Sequence, residues 1–226
     1  MMTLRPFEPD DLDALYAISL ATGHAGGDAS HLHDDPRLIG HIYSAPYALL
    51  APDLAIVAAD EHGVVGYVVG AADTAAWEDT LERLWWPQLR SDYADPSGSP
   101  RETWTYDQRR AFIIHHPGQT PTVLVSAYPA HLHMNLLPRA QRRGVGSALL
   151  ETWIRRAAAA RGVSAAHIGV NGANLGGLRF WEARGFGALS LEGLPTGRTV
   201  WLGRSWPASD QAIDRPPSMT SSAPVT

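Results

Sequence analysis

Apolar residues recur along the chain with two periods, and each period predicts an element. Residues 3–7 alternate as one face of a strand does. Pro9 then opens a helix: Asp10, Asp11 and Asp13 suit its positive end, and Leu12, Leu15 and Ile18 give it an apolar side. Residues 23–36 are rich in Gly, His and Asp and read as an exposed loop before a short helix over 37–44. Two apolar runs, 54–59 and 64–71, flank Asp60-Glu61-His62-Gly63 and predict a hairpin. Gly66 and Gly70 inside the second run imply a bulge or a close backbone approach. Asp73 starts a helix with Trp77, Leu81, Leu84, Trp85 and Leu89 on one side, which Pro87 should kink or end.

The pattern then becomes irregular, with Asp95-Pro96-Ser97-Gly98-Ser99-Pro100, a short helix around 106–115 and His115-His116-Pro117-Gly118. Trp104, Phe112, Ile113 and Ile114 need burial, so the stretch is an insertion, about 74–129 in all, and not a linker. Residues 123–127 read as a strand or extended lead-in, and 130–137 as a strand. Ala148, Leu149, Leu150, Trp153, Ile154, Ala157 and Ala158 recur at helical spacing, with Glu151 and Arg155 one turn apart on the wet side, until Gly162 stops the helix. A strand over 165–170, a helix over 175–184 closed by Gly185, and strands over 187–191 and 199–202 complete the pattern. Residues 1–206 are thus expected to form one α/β (α+β) domain, and 207–226, poor in large apolar groups, a disordered tail.

Composition narrows the function classes. At 226 residues and 45% hydrophobic, the chain can bury a substantial core. A net charge of −5 supplies no basic field, so nucleic acid is not expected as a partner. The absence of cysteine excludes disulfides, a thiolate nucleophile and a Cys-based zinc site. No apolar run reaches membrane-spanning length and the N-terminus lacks a signal-peptide core, which leads to the expectation of a cytoplasmic protein with no membrane partner. Monomer and homodimer both remain open.

The chemistry concentrates in residues 136–147, where a buried strand meets a helix through Gln141, Arg142, Arg143, Gly144, Val145, Gly146 and Ser147. Glycines permit close backbone approach, the first helical N–H groups lack partners, and the arginines add charge; together these suit phosphate. No Gly-Lys-Ser/Thr follows, and the third glycine of a dinucleotide fingerprint is missing. Gln-x-x-Gly-x-Gly after a strand instead resembles the pyrophosphate loop of the GNAT acetyltransferases. A second piece agrees in order and spacing: Asn171-x-x-Asn174, then Gly177-Leu178-Arg179-Phe180-Trp181-Glu182-Ala183-Arg184-Gly185-Phe186. Leu4-Arg5-Pro6-Phe7, Pro36-Arg37-Leu38-Ile39-Gly40, Asp92-Tyr93-Ala94-Asp95-Pro96 and Leu202-Gly203-Arg204-Ser205 further resemble the C-terminal acetyltransferase-like domain of human O-GlcNAcase. The resemblance implies the GNAT fold, a mixed, strongly bent sheet flanked by helices, in which two splayed central strands hold acetyl-CoA as co-substrate. It implies pantetheine on backbone groups of Leu136 and Leu137, pyrophosphate on residues 141–147, and Asn174 facing the cofactor.

Acetyl transfer needs a neutral amine, and a lysine-like amine is neutral only about once in a few thousand molecules at pH 7. His131 and His133 share one strand face and lie near the implied thioester, with His133 the candidate base; both would equally serve as hydrogen-bonded strand histidines. The resemblance adds Asp73 and Tyr93 as acceptor-site candidates, although Asp73 also suits a helix cap and Tyr93 packing against Trp85 or Trp86. Trp181 stands where many family members carry an acidic tyrosine, and an indole N–H cannot protonate a leaving thiolate. The pairs His31/His33, His115/His116 and His131/His133 lack the further ligands a metal needs. The leading expectation is an acetyl-CoA-dependent N-acetyltransferase acting on a small amine or peptide amine. Its rival is a module of the same fold that binds acyl-CoA or a partner without turnover.

Overall fold

The computed structural model describes residues 2–207. Seven strands form one sheet in the order β1-β2-β3-β4-β5-β7-β6. They are β1 Thr3–Pro6, β2 Ile56–Asp60, β3 Gly63–Ala71, β4 Ala130–Leu136, β5 Ala165–Asn171, β6 Gly187–Ala188 and β7 Thr199–Ser205. Neighbours are antiparallel except β4 and β5, which run parallel and pair only at Ala130↔Ala166 and His131↔His167. Beyond that point the two central strands part, and the edge of β4 that faces β5 has no strand partner over residues 132–136 among the described residues.

One face of the sheet carries helix α8, Val145–Arg161. Its stripe of Val145, Leu149, Leu150, Trp153, Ile154 and Ala157 is buried against Ile56, Val68, Leu132 and Ile168. Gly70 makes this fit possible: a Cβ there would lie 2.3 Å from the His131 carbonyl oxygen and 2.7 Å from the Trp153 ring. The same strand bulges where Ala58↔Gly66 gives way to Ala59↔Val64. Both readings of its glycines therefore hold, each at a different position. Gly162 ends α8 at φ 65°, and Glu151 meets Arg204 at 3.4 Å.

The other face is covered by α1 Leu12–Ala21, α2 Leu38–Tyr43, α3 Ala45–Leu50 and the insertion, whose helices are α4 Thr74–Leu84, α5 Trp86–Asp92, α6 Tyr106–His115 and α7 Thr122–Ala127. Leu15, Ile18, Tyr47, Tyr67, Val69, Trp77 and Ile114 form its core. A continuous helix through Leu89 is not found: the chain breaks at Trp85, with Pro87 in the first turn of α5, and Leu84 is left 61% exposed. Residues 123–127 are helical, not extended. The Pro121 carbonyl accepts the N–H groups of Leu124 and Val125 and starts a turn that buries Leu124. The tail expected over 207–226 lies outside the described residues except for Pro207. Among the described residues no helix is long and apolar enough to cross a membrane.

Candidate active site

Alternation along β4 sends Ala130, Leu132, Met134 and Leu136 toward α8. His131, His133 and Asn135 emerge on the opposite face, where they line a cavity of about 750 Å³ at the parting of β4 and β5. Its wall also includes Tyr43 of α2, Tyr47 of α3, Trp77 of α4, Arg110 of α6, the loop 117–120 and, across the gap, His167 and Asn171 of β5.

The cavity floor is a hydrogen-bond chain whose direction is fixed by its end. The Thr74 hydroxyl donates to the Pro129 carbonyl at 2.7 Å and lies 2.8 Å from His131 Nδ1. Its only proton is spent on the carbonyl, so His131 Nδ1–H is the donor to it. His131 Nε2 is then a lone pair, and the Tyr47 hydroxyl donates to it at 2.7 Å. His133 Nε2, 3.2 Å from the same hydroxyl, must donate in its turn. The network thus assigns His133 the Nε2–H tautomer, and Nδ1 is a lone pair with no partner among the described residues. His167, assigned by its 2.7 Å bond to the Tyr128 carbonyl, is protonated on Nδ1.

Burial holds all three imidazoles neutral. It pushes His133 down to about 4, lowers His131 well below the usual range with help from its histidine neighbours, and lowers His167 despite its carbonyl partner. Burial also raises the Tyr47 phenol, which stays a donor, stacked on Trp77 with ring centroids 4.5 Å apart. Deeper in the wall, Asn135 accepts from the Tyr67 hydroxyl at 3.2 Å, and Ser19 links Tyr67 to Ser44.

The residues expected to hold pyrophosphate surround the start of α8. Arg142 (φ 58°) and Gly144 (φ 78°) both take left-handed backbone conformations. Gly144 begins the helix without a side-chain cap, so its first N–H groups have no helical acceptor. Gln141 Nε2 donates to the Leu136 carbonyl at 2.9 Å, fastening the loop to β4, while Leu137 N–H is spent on Val65. Gly146 serves packing: a Cβ would stand 3.1 Å from the Phe180 ring. Val145 is buried and Ser147 half-buried in the first turn, and Arg143 bonds the Arg139 carbonyl. Asn174 lines the cavity while capping α9, Leu175–Glu182, through Gly177 N–H at 2.8 Å.

Of the three expected catalytic residues only His133 lies in the cavity. Asp73 is an exposed helix cap accepting from Ala76 N–H. Tyr93 donates to Asp35 at 2.7 Å in a separate hollow, in contact with His41 and not with Trp85 or Trp86 in a ring pair. Trp181 is buried with Phe180 and Phe186, away from any acid role. Tyr47, Thr74, His167 and Arg110 were not anticipated; only the isolated polar character of His167 within an apolar strand signals any of them in the sequence.

Parted parallel strands, an uncapped helix opening beside them and a cavity at their apex characterise this α/β protein. Residues 27–186 match the acetyltransferase (GNAT) family, to which the chain belongs. It is similar to SsHAT, with 37% identity, 90% of this chain and 98% of that chain covered, and a TM-score of 0.81. It shares the fold of Naa20 from Chaetomium thermophilum, solved with a bisubstrate analogue (18% identity, 93% and 90% covered, TM-score 0.51). The same holds for a phosphinothricin acetyltransferase from Sinorhizobium meliloti solved with acetyl-CoA (17% identity, 96% and 94% covered, TM-score 0.50).

Proposed function

We propose that the chain is a single-domain acetyl-CoA-dependent N-acetyltransferase in which His133 receives the acceptor amine. Within the family we set it beside the acetyltransferase-like domain of O-GlcNAcase, on the motif likeness given above. The observation that carries the reading is the Nδ1 of a neutral His133, without a partner among the described residues, at the apex of the parted strands. The unpaired edge of β4 supplies N–H and C=O groups for a pantetheine arm, and the uncapped start of α8 with Arg142 and Arg143 suits its pyrophosphate. Acetyl-CoA, when bound, supplies an acetyl group activated as a thioester. Its thiol, with an ordinary pKa of about 8.5, leaves without an acid, consistent with the buried Trp181.

His133, held near 4, cannot strip a proton from an ammonium of pKa about 10. Its role is to select the neutral amine by accepting an N–H, and to take the proton once C–N bond formation has made the nitrogen acidic. Calorimetry with acetyl-CoA followed by a thiol-release assay over an amine panel tests this. His133→Ala is expected to keep acetyl-CoA affinity and lose about 10²-fold in release. Failure of the wild-type chain to bind acetyl-CoA would overturn the reading; binding with release unchanged in His133→Ala would remove His133 from it.

A further inference from the structure

The acceptor side of the cavity contains an unmatched cation. Five charged residues line the cavity: Glu78, Asp79 and Glu82 of α4 and Arg110 of α6 on this side, and Arg198, exposed just ahead of β7, across the strand gap. Glu82 is bound through both oxygens by Arg90, at 2.5 and 2.9 Å. Glu78 accepts both the N–H and the hydroxyl of Thr120, which ties the loop 117–120 to α4. Asp79 is exposed at the rim, where water screens it. Arg110 is half-buried and meets no carboxylate among the described residues; its contacts are one 3.4 Å bond to the Tyr43 hydroxyl and a position 5.7 Å from that ring's centroid. A guanidinium has five donors in a planar fork, and most of this one's are free.

Tyr43 also fixes the distance to the chemistry. Its ring stands edge-on to His133 with centroids 5.5 Å apart, so a single aromatic ring separates the cation from the lone pair that receives the amine. Leu81, Trp86 and Ile113 supply apolar wall beside them.

Resting on the transferase reading, we propose that the acceptor is an α-amino acid with an apolar side chain, whose carboxylate is received by Arg110 while its amine faces His133. A charge-assisted, forked contact of this kind is worth about tenfold to a hundredfold in binding.

The test uses matched pairs differing only in the carboxylate: L-leucine against isoamylamine, and L-phenylalanine against phenethylamine. Binding to the CoA-loaded protein is read by ligand-observed NMR, and transfer by thiol release, for wild type, Arg110→Gln and Arg110→Lys. The carboxylate-bearing member is expected to bind at least tenfold better in wild type. That ratio should fall to near one in Arg110→Gln and be partly restored in Arg110→Lys, with acetyl-CoA affinity unchanged in all three. A ratio within twofold in wild type, a ratio that survives Arg110→Gln, or no binding of any member would overturn the assignment. Carboxylate-dependent binding without thiol release would support it while refuting the transferase reading, and equal transfer to both members would do the reverse.

Discussion

Tyr47→Phe isolates one hydroxyl on which the site's proton arrangement depends. The ring, and with it the stack on Trp77, is retained; what disappears is the donor to His131 Nε2 and the acceptor of His133 Nε2–H. Each net hydrogen bond is worth about 1 kcal/mol, and each buried group left unpaired costs about 1–3 kcal/mol. Cavity water relieves part of this at His133, so the expected destabilisation is about 2 kcal/mol, read as a shift of the urea midpoint at constant slope. The sharper readout is the tautomer. In the wild type an orphaned N–H on the wrong nitrogen would cost at least about 1 kcal/mol, so ¹⁵N shifts should show His133 as Nε2–H and His131 as Nδ1–H. In Tyr47→Phe the His133 preference should relax toward a mixture while His131 stays locked by Thr74. A wild-type His133 protonated on Nδ1, or charged at pH 6, would refute the polarity argument, as would a tautomer unaffected by the loss of the hydroxyl.

Three further perturbations test other parts of the structure. Because burial lowers His133 to about 4 from 6.5, the unfolded chain binds the extra proton between those values, so stability is complete above pH 6.5 and falls as pH drops toward 4, by about 3 kcal/mol from this group. Urea midpoints of wild type and His133→Asn across that window should converge at low pH, and parallel curves would contradict the shift. Gly70→Ala drives a methyl into the His131 carbonyl and the Trp153 ring, a clash backbone cannot relieve, and should cost at least about 3 kcal/mol in unfolding free energy. Arg142→Glu should weaken acetyl-CoA binding about tenfold to a hundredfold by calorimetry with little change in melting temperature, since its side chain is exposed; equal loss of both would count against a phosphate role.

What the sequence made legible was local and periodic. The stripe on α8, the alternation that puts His131 and His133 on one face, and the two ordered motifs around Gly144 and Asn174 each need only a short window and one repeat. The rest of the site is a matter of long-range pairing. Tyr47 meets His131 across 84 positions and Thr74 meets it across 57, so neither hydroxyl looks different from any other until the sheet and insertion are assembled. Residues 123–127 show the same limit at the level of an element. Five apolar and small residues fit a strand as well as a helical turn, and the carbonyl of Pro121, two positions upstream, decides between them. Asp73 satisfied a helix-cap pattern and an acceptor-site resemblance together, and its exposed N-cap position accounts for the first alone.

Tyr93 lies outside the cavity, and under the proposed reading it acts on acceptor binding through the wall it helps to hold. Asp107 of α6 receives His33 at 2.6 Å through one oxygen and the N–H groups of Asp34 and Asp35 at 3.0 Å through the other. Asp35 in turn accepts the Tyr93 hydroxyl, and His115 closes on the Tyr93 carbonyl at 2.6 Å. This clasp fastens the insertion, which carries Arg110, to the loop ahead of α2, which carries Tyr43. Loosening it should move those two side chains relative to each other while leaving the His133–Tyr47–His131 chain, anchored on β4 and α3, in place. Tyr93→Phe is therefore expected to raise the acceptor's KM severalfold with acetyl-CoA affinity and the histidine tautomers unchanged. A collapse of kcat at saturating acceptor would instead put the Tyr93 hydroxyl among the reacting groups.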